Sequence, residues 1–198
     1  MANGSYITGY SDPWVARYAN ASGTVSYTGA MALARGVSVK VDVSTSDSQT
    51  AYADNAAAES VGGKFKSGTA TLVVDGLLES ARKFITGTTS AEGTDKDLWD
   101  VEDDLTATPY VGIGFIVKRM SGGVETYQPI VLAKTMFDTL GISAETEGET
   151  KNFQTEELKA TLMRDDSTNH AWRKIGTEQA TREDALKMLK TKLGVTTA

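Results

Sequence analysis

Residues 37–43 read Val37-Ser38-Val39-Lys40-Val41-Asp42-Val43, and this stretch decides the class of fold. Valine stands at every odd position and a polar residue at every even one. Because successive side chains of a β-strand point to opposite faces, a period of two predicts a strand with one buried face. We therefore expect a mainly β protein in which this strand places its valines on a core.

Further strands are expected on the C-terminal side of this stretch. Residues 66–75 and 111–119 both alternate apolar residues with smaller or polar ones. In the second segment, Gly112 and Gly114 leave one face of the strand flat, so that another backbone or side chain can approach it closely. A hairpin turn over residues 121–123, Ser-Gly-Gly, is expected to follow.

Two helices interrupt the β pattern. Residues 75–85 carry an apolar stripe with the spacing of a helix, which predicts a flanking helix. Residues 177–194 predict a C-terminal helix with a narrower stripe. Thr181 and Asp184 offer an N-terminal cap for it, and Gly194 marks its end. The sequence thus predicts a mainly β fold of the α+β kind.

The chain of 198 residues is expected to form one domain, residues 1–198. Residues 1–30 are interpreted as an irregular N-terminal arm. Residues 44–66 and 86–109 are interpreted as long loops, the second of them acidic, and loops of such length are usually functional or mobile. Residues 153–175 predict a hairpin around the turn-forming residues Asp165–Asn169.

Composition excludes several classes of function. Lys and Arg number 20 against 26 Asp and Glu, which gives a net charge of −6 and opposes a surface that grips nucleic acid. Cysteine is absent, which excludes disulfides, thiol catalysis and cysteine zinc sites. No run of about 18 apolar residues predicts a membrane span, and the N-terminus lacks a signal-peptide pattern. We expect a soluble protein made in the cytoplasm, without membrane partners.

Motifs for catalysis and for cofactor binding fail on particular residues. Phe65 stands where a phosphate-binding loop requires Ser or Thr, and Val117 stands where a dinucleotide fingerprint requires its third glycine. Asp100 replaces the glycine that a calcium-binding EF-hand loop requires. His170 is the single histidine, so neither a histidine metal site nor a histidine triad is predicted. We expect no enzyme activity, no metal and no cofactor.

Several phrases carry a resemblance when they are taken together and in order. They are Leu33-Ala34-Arg35-Gly36-Val37, Tyr52-Ala53-Asp54-Asn55, Thr71-Leu72-Val73-Val74-Asp75-Gly76-Leu77-Leu78, Pro109-Tyr110-Val111-Gly112-Ile113-Gly114-Phe115, Gln154-Thr155-Glu156-Glu157-Leu158 and Arg164-Asp165-Asp166-Ser167-Thr168-Asn169-His170. In this order they resemble the major tail proteins, or tail tube proteins, of long-tailed, non-contractile phages of Gram-positive bacteria. The likeness covers nearly the whole chain, and none of its phrases is a catalytic motif.

The resemblance implies a tail-tube fold, a β-sandwich or barrel with a flanking helix. It also implies six-subunit rings that stack into a tube, through whose lumen DNA passes without specific binding. The implied partners are further copies of the chain, the tape measure protein, the tail terminator and the distal tail protein. The implied location is the virion tail, assembled in the cytoplasm of the host bacterium.

The loop over residues 44–66 would then correspond to the extended loop that reaches a neighbouring subunit or ring. The predicted assembly-interface residues are Ser44, Tyr52, Asp54, Asn55, Lys64 and Phe65. An acidic lumen is a further hypothesis, because acidic side chains repel phosphates and keep DNA sliding. The alternative is a β-sandwich binding or decoration module of a virion, which would need neither the long loop nor the terminal helix and would show an exposed aromatic patch.

Overall fold

One large antiparallel sheet carries most of the chain. The computed structural model describes residues 4–47, 49–53, 56–94, 98–103, 106–146 and 153–195. The strands are β1 (Tyr6–Ala21), β2 (Thr24–Ala32), β3 (Gly36–Thr45), β4 (Gln49–Ala53), β5 (Ala56–Val61), β6 (Phe65–Val74), β7 (Ser90–Glu92), β8 (Trp99–Val101), β9 (Val111–Ser121), β10 (Val124–Phe137), β11 (Glu156–Met163) and β12 (Arg173–Ile175). The helices are α1 (Glu79–Thr86) and α2 (Arg182–Lys192). The predicted class, a mainly β fold with two helices, is confirmed.

The strands of the large sheet follow the order β2-β1-β9-β10-β11-β6-β3, and β12 pairs with β10 beside this path. Strands β4 and β5 form a separate pair, and so do β7 and β8. The large sheet curls, so that its edge strand β3 returns over β1. The ring of Tyr10 on β1 packs directly against Gly36 on β3. The curled sheet encloses the main core, which α1 also enters through Ala81 and Ile85.

The opposite face of β9 and β10 supports a second, smaller core beneath α2. Ala185 and Leu189 of the helix, and Leu193 directly after it, are fully buried there. The two glycines of β9 make the close approach possible, as the sequence predicted. A Cβ atom on Gly112 would lie 2.4 Å from the ring of Tyr27, and one on Gly114 would lie 2.7 Å from Leu189. The two helices therefore pack into different cores, on opposite faces of the sheet.

The C-terminal helix begins at the predicted cap. The Thr181 hydroxyl accepts a hydrogen bond from the backbone N–H of Asp184 at 3.1 Å, which satisfies a donor that the first turn leaves unpaired. Helix α1 starts later than predicted, at Glu79, and ends with Gly87 in the left-handed conformation, φ 82°. Glycine adopts that conformation without the steric cost that a side chain imposes.

The valine strand is present as β3, and its valines are partly buried in the middle of the strand and exposed at its ends. Val39 and Val41 pack against the main core, whereas Val37 and Val43 are 53% and 41% exposed. The strand lies at the edge of the sheet, so only its middle is covered. The expectation that all the valines are buried is wrong at the two ends.

The prediction of an irregular N-terminal arm over residues 1–30 is wrong from Tyr6 onward. Strands β1 and β2 form a hairpin with φ angles of 50° and 84° at Ser22 and Gly23. Register shifts along β1, at three places against its two neighbours, break the alternation that reveals a strand in the sequence. The hairpin belongs to the large sheet rather than to an appendage.

The two predicted long loops are also corrected. Residues 44–66 contain the ends of β3 and β6 with the paired strands β4 and β5 between them. Residues 86–109 contain the short hairpin β7–β8, which two ion pairs join to α1, Lys83–Asp100 at 2.9 Å and Arg82–Glu102 at 3.5 Å.

The predicted hairpin over residues 153–175 is wrong in its pairing. Strand β11 pairs with β6 and with the end of β10, and β12 pairs with the middle of β10. The longer strand β10 thus offers one edge to both partners in succession. The turn between β11 and β12 is nevertheless where the sequence placed it, with bends and turns over residues 166–169.

Candidate assembly interface

A two-stranded ribbon continues β3 and β6 beyond the large sheet. The pairing of β3 with β6 runs to Thr45 and Phe65, and the pairing of β4 with β5 begins at Gln49 and Val61. Between them, the N–H of Ser46 donates to the carbonyl of Lys64 at 2.8 Å. At about 3.3 Å per residue, five to six residues extend the ribbon by roughly 17–20 Å. We call residues 46–64 the ribbon.

Gly63 fixes the point at which the ribbon leaves the sheet. A Cβ atom there would lie 1.9 Å from the backbone oxygen of Ser46. Only glycine leaves room for that approach, because any side chain would displace the facing backbone. The Lys64 N–H donates to the Ser46 hydroxyl at 3.0 Å and closes the junction. The base of the ribbon is thus built into the hydrogen-bonded ladder.

The six predicted interface residues have different placements. Ser44 and Lys64 are exposed at the base of the ribbon. Tyr52 lies in β4, of which the structure describes the backbone only. Asp54 and Asn55 are outside the residues that the structure describes. Phe65 belongs to the main core, where its ring stacks on Trp172 with centroids 4.9 Å apart. Phe65 therefore cannot supply the exposed contact that was predicted for it.

Both ends of the large sheet are open edges. Strand β2 pairs only with β1 and strand β3 only with β6 among the strands that the structure describes. Each edge leaves a row of backbone N–H and C=O groups that another chain can pair with. The exposed valines of β3 lie on one of these edges. Edge pairing with a neighbour is the interaction that this geometry favours.

Apolar side chains are exposed at one tip of the sheet. Tyr6 and Ile7, at the start of β1, are 79% and 66% exposed. Tyr6 lies opposite Met120, next to the β9–β10 turn, where Val124 is also exposed. Such a patch at a strand end is an additional candidate contact. It was not predicted from the sequence, because these residues were interpreted as part of an irregular arm.

One face of the sheet is polar, and neither of the helices that the structure describes covers it. It is formed by outward side chains of β3, β6 and β11, with Thr69 and Thr71 in the middle strand. Lys40 and Asp42 on β3 form an ion pair at 2.8 Å, and Glu157 and Lys159 on β11 form another at 3.0 Å. We call these outward side chains the threonine face. The charges of these two ion pairs cancel, whereas the whole chain carries a net charge of −6.

A buried carboxylate fixes the turn between β11 and β12. The side chain of Asp165 is fully buried and pairs with Lys174 at 3.0 Å. Burial raises the pKa of this carboxyl, but hydrogen bonds from Ser167 and the ammonium of Lys174 together outweigh burial and hold the pKa below its usual value. The turn is thereby tied to β12 by a charged contact.

The adjoining carboxylate ties the same turn to β1 and β10. Asp166 accepts hydrogen bonds from the Tyr18 hydroxyl and the Lys134 ammonium, both at 2.8 Å. Burial is the first of the causes that raise the pKa of Tyr18 to about 12. His170 follows with φ 49°, and its Nδ1 lies 3.4 Å from the carbonyl of Asp165. These contacts give the motif Arg164–His170 a structural role.

No group of three or more His, Asp or Glu side chains in the described part of the chain could hold a metal ion. None of the helices in that part is both long enough and apolar enough to cross a membrane. No protein-family model matches the sequence, and the comparison with curated proteins gives no match.

Proposed function

We propose that this protein is a structural subunit that polymerises into a tube, as the major tail protein of a long-tailed phage. Six subunits would form a ring, and stacked rings would form the conduit through which DNA leaves the capsid. The observation that carries the proposal is the ribbon, which leaves the sheet through a hydrogen-bonded junction beside the open edge of β3. A ribbon of this kind reaches a neighbour without disturbing the core.

The two open edges support the same proposal. A closed ring requires two different surfaces that meet head to tail, and stacking requires a further contact that repeats along the axis. The β2 and β3 edges and the tip at Tyr6 provide distinct surfaces of this kind. In a monomer such edges favour aggregation, whereas in a tube a neighbour covers them.

The threonine face is our candidate for the wall of the lumen. It is polar and carries no net excess of positive charge in its two ion pairs, so phosphates gain little by binding it. This replaces the hypothesis of an acidic lumen with one of a charge-balanced lumen. Tape measure, tail terminator and distal tail proteins are the partners that a tube of this kind would require.

Negative-stain electron microscopy across a concentration series tests the proposal. Rings or hollow tubes of uniform width are the expected result. Discrete particles at every concentration, also in the presence of an isolated tail-tip complex as initiator, would contradict it and favour the binding or decoration module. The exposed aromatics Tyr6, Trp99 and Phe153 would then be the residues to test for ligand contact.

A further inference from the structure

A lysine-rimmed groove lies between α2 and the strands β10 and β12. It has a volume of about 800 Å³. Its apolar lining residues are Pro129, Val131, Ile175, Met188 and Leu189. Ile175 is 51% exposed and Met188 is 39% exposed, so the apolar floor is open to solvent. We call this cavity the α2 groove.

The rim of the α2 groove is basic. Lys187 and Lys192 are exposed, and no carboxylate among the described residues lies within ion-pair distance of either. Lys174 also lines the groove but pairs with Asp165. Asp184 is the one carboxylate in the lining, and it accepts a hydrogen bond from the Thr181 hydroxyl at 2.7 Å. The unpaired positive charge of the groove therefore lies on α2.

A complementary surface lies on the β7–β8 hairpin. Leu98 and Trp99 are 56% and 70% exposed there. Glu92 lies opposite Trp99 in the strand register and has no partner among the described residues. Asp100 and Glu102 pair with Lys83 and Arg82 of α1, so Glu92 is the carboxylate that the described part of this hairpin offers to a partner. We call Glu92, Leu98 and Trp99 the acidic knob.

The acidic knob is held in place before any partner binds. Asp100, next to Trp99, pairs with Lys83 of α1 at 2.9 Å, and Lys83 also pairs with Glu79 at 3.1 Å. The hydrogen bond to Asp100 is the first cause of a raised pKa of Lys83. Fixing an exposed aromatic side chain on an anchored hairpin reduces the entropy that binding must overcome.

The acidic knob and the α2 groove belong to opposite faces of the molecule. The knob is anchored on α1, which packs into the main core, and the groove lies under α2, which packs on the other face of β9 and β10. One subunit therefore cannot join its own two surfaces. Two copies can, and the contact is then head to tail, the type that builds rings and fibres.

We infer that the acidic knob of one subunit docks into the α2 groove of the next, with Trp99 and Leu98 on the apolar floor and Glu92 beside Lys187 and Lys192. The occupant is a second copy of this chain. The apolar side chains of the acidic knob would lie on the apolar floor of the groove, and the Glu92 carboxylate would face the ammonium groups of the rim. This inference rests on the proposed tube and names one of its subunit contacts.

Two variants of the full chain test the contact. Leu98→Ser/Trp99→Ser removes the knob, and Lys187→Glu/Lys192→Glu reverses the rim. All four positions are exposed, so both variants should keep the unfolding transition of the wild type. Buried tryptophans at contacts commonly dominate binding, so each variant should weaken self-association at least roughly 30-fold in sedimentation velocity. Lys66→Glu, a charge reversal at an exposed lysine outside the α2 groove, is the control and should assemble normally.

Mixing the two variants gives the decisive measurement. The knob variant keeps an intact groove and the groove variant keeps an intact knob. At a concentration at which each variant alone is monomeric, the mixture should therefore form 1:1 heterodimers. Adding Glu92→Lys to the groove variant should restore self-association through reversed charges. High salt should weaken both the wild-type contact and the restored one.

Normal assembly of either variant, or a mixture that contains only monomers, would overturn the inference. Tubes that form equally well from all variants would reject this contact and leave the tube proposal standing. If the mixture forms heterodimers but the wild-type chain alone forms open fibres and no rings, the contact would be supported and the tube rejected.

Discussion

Gly112 illustrates how a single missing side chain joins the sheet to its second core. The ring of Tyr27 occupies the space above it, and the Tyr27 hydroxyl donates to the carbonyl of Ala133 at 2.8 Å. Packing against Gly112 and the hydrogen bond to Ala133 thus fix the position of the Tyr27 ring. The two glycines of β9 predicted this flat position correctly. The residue that covers it was not predicted, since Tyr27 comes from the segment interpreted as irregular.

Gly112→Ala should therefore lower the free energy of unfolding by about 1–3 kcal/mol, because the new methyl group would force the Tyr27 ring away from its hydrogen bond. Urea denaturation measures the change. Gly141→Ala is the matched control, as a Cβ atom at Gly141 meets nothing within 4 Å. Equal stability of the two variants would show that Tyr27 does not constrain β9.

Asp165→Asn should lower the free energy of unfolding at pH 7 by about 2–4 kcal/mol, because it leaves Lys174 without its buried counterion. Asp42→Asn, in an exposed pair, should change it by less than about 0.5 kcal/mol. Urea denaturation of both variants makes the comparison.

The contribution of Asp165 to the free energy of unfolding should decrease at acidic pH. The folded state lowers the pKa of this carboxyl, so its stabilising effect is present above the unfolded pKa of about 4 and is lost as the pH falls through the folded value. The difference between the wild type and Asp165→Asn should accordingly shrink below about pH 4. A difference that stays constant down to pH 2 would contradict the assigned role of the ion pair.

Among the elements, regular alternation was a reliable guide and irregular alternation was not. β3, β6 and β9 were predicted because each keeps its period, and α2 was predicted because its cap residues are local in sequence. β1 was missed because its register shifts change which face each residue joins. The ribbon was interpreted as a loop because alanines at positions 51, 53 and 56–58 carry little strand preference.

Replacing residues 47–63 by Asn-Gly should give a folded chain that cannot polymerise. Ser46 and Lys64 already pair, and a two-residue turn closes antiparallel strands well, so the free energy of unfolding should stay within about 1 kcal/mol of the wild type. Electron microscopy and sedimentation measure assembly. Replacing Gly122-Gly123 by Asn-Gly, at a different hairpin, is the control that keeps the ribbon. If the shortened chain still forms long tubes, the ribbon is not part of the subunit interface.

For the molecule as a whole, the class of fold was predictable and the contact surfaces were mostly not. Phe65 was expected at an interface as part of the predicted loop over residues 44–66, but it stacks on Trp172, which lies far along the chain. The α2 groove likewise joins β10, β12 and α2, whose association no local pattern encodes. Pairings between distant segments decide which residues remain exposed.

Thr69→Lys/Thr71→Lys should convert the threonine face into a surface that binds DNA, because it adds two positive charges in the middle strand of a balanced face. Assembled tubes of the variant should retain short duplex DNA at low salt and release it as salt rises, whereas wild-type tubes should not retain it. Thr69→Gln/Thr71→Gln is the uncharged control. If tubes of the lysine variant do not retain DNA, this face does not line the lumen.

The junction at Ser46 and Lys64 also makes the ribbon a site for peptide display. The chain leaves and re-enters the sheet at neighbouring positions, so a foreign segment of different length can be inserted there at a small entropic cost. An epitope or metal-binding peptide grafted between these two residues would project from the sheet without altering either core.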